Sequence, residues 1–201
     1  MVLPIVVYGD PVLRKVCEDI DKNYPGLEKL IKDMFETMYE ASGVGLAAPQ
    51  IGKPIRLFLV DTQPFVDNDD DEDDEDEFTA EERKELEAFK KIFINARILQ
   101  EDGDEWKFKE GCLSIPKIRE DVERKPNVTI EYLDEKFVKH TESYTGLIAR
   151  VIQHEYDHIQ GILFTDKMSP FKRKLLSGKL TDISKGKITA DYKTKVYRPK
   201  K

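Results

Sequence analysis

Between Ser143 and Gly161 two patterns share one helical period. Leu147, Ile148, Val151, Ile152 and Ile159 recur at three- and four-residue spacing, which predicts a helix with one apolar side, stopped by Gly161. The same stretch reads His154-Glu155-Tyr156-Asp157-His158. Histidines at i and i+4 project from one face with Cβ atoms about 5–6 Å apart, a ready grip for a divalent metal. Glu155 stands between them, placed to act on a water at that metal. A fold that accommodates this segment must bury its apolar side while keeping the imidazole side open to a ligand. The chain has three histidines and two of them are here, which sets the pair apart from ordinary core histidines.

A metal held by protein needs a third ligand, and the sequence narrows the search. Position 164, where metzincin proteases carry a further histidine, is Phe164, and no glutamate follows Glu155 to serve as in gluzincins. Asp166, Asp182 and Asp191 stay open as downstream ligands, with no motif around any of them. Upstream, Cys112 lies in Glu110-Gly111-Cys112-Leu113-Ser114-Ile115-Pro116, a polar, glycine-bearing setting unlike that of a buried filler, and is the best candidate. A thiolate with two imidazoles suits zinc or ferrous iron and leaves a fourth position for water. Cys17, between Val16 and Glu18, reads as a small apolar filler. Two cysteines in 201 residues do not make a secreted disulfide scaffold.

The remaining patterns predict an α+β fold. Mixed or antiparallel strands pack around the His-bearing helix as a central metal-binding helix, with a further helix toward the N-terminus and a basic C-terminal tail. Val2 to Tyr8 reads as a strand ending in the Gly9 to Pro11 turn; Leu27, Leu30, Ile31, Met34, Phe35 and Met38 mark a helix that Gly43 ends. Strands are expected at Ile55 to Val60, Lys91 to Ile94, Trp106 to Phe108, Asn127 to Leu133 and Lys136 to His140. From Asp67 to Glu77 only Asn68 is uncharged, and like charges with nothing apolar to bury cannot pack. Thr79 with Glu82 offers a capping box for a short charged helix beyond it, so Asp67 to Phe89 reads as a surface insertion in a single catalytic domain of residues 1–170. Ser169 opens a basic helix that Gly178 is expected to interrupt and Gly186 to break, within a tail of residues 171–201.

Charge divides along the chain. Lys167 to Lys201 holds 12 basic against two acidic residues, a balance of +10, while the first 166 residues hold 21 against 38, a balance of −17. A basic tail on an acidic body fits either an anionic partner such as RNA or plain solvation. No apolar run approaches a membrane span, and neither a secretory leader nor an import signal is evident. A cytoplasmic protein is expected, or one in an organelle with its own translation if a leader has been removed.

Three segments together resemble the signature motifs of peptide deformylases: Gly43-Val44-Gly45-Leu46-Ala47-Ala48-Pro49-Gln50, Glu110-Gly111-Cys112-Leu113-Ser114, and Gln153-His154-Glu155-Tyr156-Asp157-His158. They stand in that family's order, and the likeness runs from about Tyr8 to Pro170 apart from the acidic insertion. The resemblance implies that Cys112, His154 and His158 hold the metal, with Fe2+ as the usual ion and Zn2+, Ni2+ or Co2+ as substitutes. It implies that Glu155 moves the proton while the Gln50 side chain and the Leu113 backbone N–H stabilise the oxyanion. The matching substrate positions are Gly43, Val44, Gly45, Phe108, Gly111, Leu147, Arg150 and Val151, around an apolar pocket for methionine. Arg150 departs from the family's apolar choice and suggests a charged pocket rim, and Glu110 with Arg124 looks like a pair that braces the Cys112 segment. The implied substrates are N-formylmethionyl nascent peptides, and the implied partner of a basic C-terminal helix is the ribosome. Neither a membrane nor DNA is an expected partner.

Overall fold

The computed structural model describes residues 1–67 and 78–199. A five-stranded antiparallel sheet forms its frame, in the order β2 (Gly45–Ala47), β3 (Leu57–Asp61), β4 (Lys90–Asp102), β7 (Asn127–Leu133) and β8 (Lys139–Thr145). Strand β3 shows why the sheet lies between helices: all five of its residues are buried. Leu57 and Leu59 point to one side, where α1 (Leu27–Glu40) lays down Leu30, Ile31, Met34 and Met38. Phe58 and Val60 point to the other, toward Ala149, Val151, Ile152 and Ile159 of α4 (Gly146–Ile159). A strand covered on both faces reads as a continuous apolar run, and alternate residues feed two separate cores. Each side chain so enclosed contributes on the order of 1.5–3 kcal/mol.

The other elements build a second layer against α4. A hairpin of β5 (Trp106–Cys112) and β6 (Ile115–Arg124) stands apart from the main sheet. Short β1 (Ile5–Val6) pairs in parallel with β9 (Thr194–Lys195), joining the two ends of the chain. Helix α5 (Pro170–Ser184) sets Leu180 and Ile183 into a third core with Val6, Leu13, Ile115, Ile118 and Val122. Between β3 and β4, α2 (Gln63–Asp67) and α3 (Ala80–Ala88) cross the surface, with the expected capping box at Thr79 and Glu82. The acidic run from Asn68 to Glu77 lies outside the described residues. Helix α3 and the residue after it are anchored to the body: Thr62 Oγ1 donates to the Leu86 carbonyl at 2.7 Å, and Phe89 packs edge-on against Tyr144.

Mixed helix and sheet is the class the pattern predicts, and several boundaries differ from it. The expected first strand, Val2 to Tyr8, pairs only at Ile5–Val6. Ser143 to Thr145, expected to open the His-bearing helix, close β8 instead, and α4 starts at Gly146, whose φ of +57° turns the chain out of the sheet. Strand β6 was not anticipated: among its ten residues Ile118 and Val122 carry the alternation, and its end is a buried arginine, Arg124. Gly178 does not interrupt α5. A glycine costs a helix about 1 kcal/mol relative to alanine. The Ser169 cap and the burial of Leu180 and Ile183 outweigh that. The helix stops at Ser184, with Gly186 at φ +70° just past its end. Among the described residues, no helix is long and apolar enough to cross a membrane.

Candidate metal centre

Strand β5 turns Trp106, Phe108, Glu110 and Cys112 to one face by its two-residue period, and that face meets α4. The register of the hairpin shifts at Cys112, which pairs with Ile115 around a tight turn. Helix α4 brings His154 and His158, their rings 5.1 Å apart and crossed at 75°. One ligand atom from each of Cys112, His154 and His158 lies within 4.8 Å of the others, and Cys112 Sγ is 3.3 Å from His158 Nε2. Neither Asp166, Asp182 nor Asp191 joins this cluster. Asp166 pairs with Arg14 and Asp182 with Lys187.

A buried charge network orients the cluster. Glu110, 4% exposed, accepts from Arg124 Nε at 2.7 Å and Nη2 at 3.0 Å, from Arg150 Nη1 at 3.0 Å, and pairs with His154 Nδ1 at 2.9 Å. Arg124 also donates to Asp157 at 2.7 Å. Burial pushes the Glu110 carboxyl up, but His154 and Arg124 together hold it well below the usual carboxylate range. An ionised Glu110 therefore accepts a hydrogen bond from His154 Nδ1–H, which leaves Nε2, on the Cys112 side, as the ligand nitrogen. Burial and the neighbouring His154 drive His158 well below the ordinary histidine range. A neutral imidazole is the form a metal needs.

Gln50 and Glu155 flank the donors. The backbone N–H of Ala47 donates to Gln50 Oε1 at 2.8 Å, which fixes the amide so that Nε2 faces Ser114 Oγ at 3.3 Å and Cys112 Sγ at 3.6 Å. Glu155 is 4% exposed, and its Oε2 is buried with no protein partner among the described residues. Burial raises its carboxyl to about 7. The two glycines of the first motif prove to be matters of close approach, not of positive φ. A Cβ on Gly45 would collide with the Glu155 carboxyl, and one on Gly43 would lie 2.9 Å from Leu113 Cδ1. Sulfur, two imidazole nitrogens and an unpartnered carboxylate oxygen fit a divalent ion with water beside it.

The remaining expected positions divide. Val44, Phe108 and Leu147 are half-buried, and Val151 is buried with Val44 packed on its cluster. Gly111 is exposed, with Arg119 passing 3.3 Å from where its Cβ would stand. Arg150 does not form a charged rim: it is 2% exposed, donates to the carbonyls of Val122 at 3.0 Å and Trp106 at 2.7 Å, and lies over the Trp106 ring at 4.4 Å. Its charge answers Glu110 and ties α4 to the hairpin. The pair of Glu110 and Arg124 is likewise an interior one, where its loss is costly. Asp157 and Ser114 lie inside the quoted motifs, but their contacts with Arg124 and Gln50 join distant segments and carry no local sequence signal.

Comparisons with known proteins point to one family. A family model described as polypeptide deformylase matches residues 2–174. A peptide deformylase of Flavobacterium psychrophilum is 61% identical over 201 residues, covering all of both chains. One of Christiangramia forsetii is 59% identical, covering 100% of this chain and 99% of its own. Among solved structures, a peptide deformylase from Legionella pneumophila is 34% identical with a TM-score of 0.75, over 93% of this chain and 98% of that one. One from Thermotoga maritima is 36% identical with a TM-score of 0.69, over 85% and 99%.

Proposed function

The chain belongs to the peptide deformylase family of enzymes, which implies removal of N-formyl groups from nascent peptides, and on that premise we propose how its own residues perform the reaction. Cys112, His154 and His158 would hold a divalent ion, Fe2+ in the cell, with Zn2+, Ni2+ or Co2+ able to replace it. When bound, the ion would supply Lewis acidity toward the formyl oxygen and bring the ionisation of water toward neutral pH. Glu155 takes the proton of the attacking water; its burial, which raises the carboxyl to about 7, suits a group that must accept a proton and then release it. Gln50 Nε2, aimed by the Ala47 N–H, donates to the formyl oxygen as it becomes anionic, and the Leu113 backbone N–H is the second donor. Glu155 then passes its proton to the departing amine, and formate and a free methionyl N-terminus leave.

Val44, Phe108, Leu147 and Val151 line the methionine pocket, and Arg150 supports Phe108 from behind through Trp106. Gly43, Gly45 and Gly111 keep backbone close to the substrate. Residues 1–170 carry every residue assigned to the reaction itself, and the setting is the cytoplasm. Docking of α5 on the ribosome belongs to the same reading, supported by Phe171 and Leu175, 70% and 68% exposed among Lys172, Arg173 and Lys174. Co-sedimentation with ribosomes that is unchanged when Phe171 and Leu175 are both replaced by Ser would end that part.

The convergence of one sulfur and two imidazoles beside Gln50 and Glu155 carries the proposal. It is tested by formate release from a formyl-Met peptide after anaerobic purification, with metal content read from the same sample. Cys112→Ser is expected to lose both turnover and metal. Full occupancy with normal turnover in that variant would overturn the ligand set. Cleavage of internal peptide bonds would instead mark a protease.

A further inference from the structure

Tyr192 lies outside the span that the family model matches, in the stretch between α5 and β9. Its phenol nevertheless donates to the Leu113 carbonyl at 2.6 Å, and its ring, like Leu113 itself, packs against the core between α1 and β3. The next carbonyl, that of Ser114, accepts from the Tyr8 N–H at 2.8 Å. Two successive carbonyls after the ligand Cys112 are therefore held from outside their own hairpin, one from each end of the chain. Those two ends are fixed to each other: β1 pairs with β9, the Ile5 N–H donates to the Lys193 carbonyl at 2.9 Å, and the Val7 N–H to the Lys195 carbonyl at 3.2 Å.

We propose that Tyr192 is a positioning residue for the deformylation site, its hydroxyl fixing the Leu113 backbone so that the Leu113 N–H meets the oxyanion while Cys112 stays in place. This rests on the roles proposed above for Leu113 and Cys112. The local chain gives a reason for an outside support. Cys112 lies where the register of the hairpin shifts, and the turn residues Leu113 and Ser114 fall between the paired positions Cys112 and Ile115. A phenol has an ordinary pKa of about 10 and is protonated at neutral pH, so the hydroxyl is a donor throughout the working range. It touches neither substrate nor metal in this role.

The test compares Tyr192→Phe, which keeps the ring and removes the hydroxyl, with Tyr192→Leu, which removes both. Each zinc-loaded protein is assayed on a formyl-Met peptide, and amide exchange at Leu113 and Ser114 is followed by NMR. Tyr192→Phe is expected to lower kcat about tenfold with KM within about twofold of the parent, the loss from one displaced donor contact. Exchange at Leu113 and Ser114 should quicken, while that of β3 stays unchanged. Tyr192→Leu should add little further loss in kcat. Parental kcat and exchange in Tyr192→Phe, or a loss confined to Tyr192→Leu, would overturn the proposal and leave a packing role. A parent protein that releases no formate would bring down the proposed function instead, and the exchange data would still decide whether Tyr192 holds the Leu113 backbone.

Discussion

Two histidines in this chain each hold a carboxylate at 2.9 Å, His154 with Glu110 and His140 with Asp134. Both pairs sit among aromatic rings and further charges. His140 lines a cavity of about 300 Å³ with Tyr132, Lys91 and Phe35, and Lys91 pairs in turn with Glu142. The difference is depth. Side-chain exposure is 11% and 4% in the first pair, 34% and 25% in the second. At the deeper pair, water cannot satisfy Glu110, so two guanidinium groups and an imidazole must, and their geometry is fixed by that need. At the shallower pair water competes for every contact, and among the described residues no trio of metal-binding side chains forms around His140. A cavity with charged walls is therefore a poorer guide to chemistry here than a satisfied, enclosed network with one unpartnered carboxylate oxygen, that of Glu155.

The sharpest way to break this contrast is to remove one group from each region. Glu155→Ala is expected to lower kcat by about 10²–10⁴ while metal stays bound, the usual contribution of a proton-transfer group. His140→Ala should leave kcat within twofold. Equal losses, read by formate release, would show that the two regions work together. Stability should separate them next. Arg124→Ala leaves Glu110 and Asp157 enclosed without their partner and should cost about 3–5 kcal/mol in urea unfolding. Lys91→Ala, at a half-exposed pair with Glu142, should cost less than about 1 kcal/mol. A large loss at Lys91 would mean that the outer cluster is more rigid than its exposure implies.

The smallest effect concerns pH. Burial pushes Glu142 up, but Lys91, Tyr132 and Tyr144 together bring its carboxyl down to about 2. A folded pKa below the unfolded value of about 4.3 stabilises the fold above that value, and the contribution fades as pH falls toward 2. Thermal unfolding of Glu142→Gln should therefore lie below the parent at pH 6 and converge with it under acid. A difference that persists at pH 2 would assign the loss to packing.

Much of this was readable from residues alone, because the informative patterns were local. The four-residue spacing of His154 and His158, the apolar stripe of α1 and the Thr79–Glu82 cap need no knowledge of distant contacts. Cys112 could be chosen by its surroundings and by the lack of a downstream glutamate. What stayed hidden depends on depth or on distant pairing. An arginine in sequence looks like surface, so Arg150 read as a rim where it is an interior brace. Strand β6 hid behind its charges because alternate residues serve water. Gly178 looked like a break because the docking of Leu180 and Ile183 on the far core cannot be seen from the helix itself. Tyr192 carried no signal, since nothing near it in the chain belongs to the site.

The pairing of Ile5–Val6 with Thr194–Lys195 also sets an order in time. Synthesis runs from N- to C-terminus, so β1 waits without its partner strand until Thr194–Lys195 has emerged. Contacts between such distant positions form late and slow the closure of a fold. Pairing of β1 with β9 is thus a late contact, and a chain cut short before Thr194 would leave β1 an open edge.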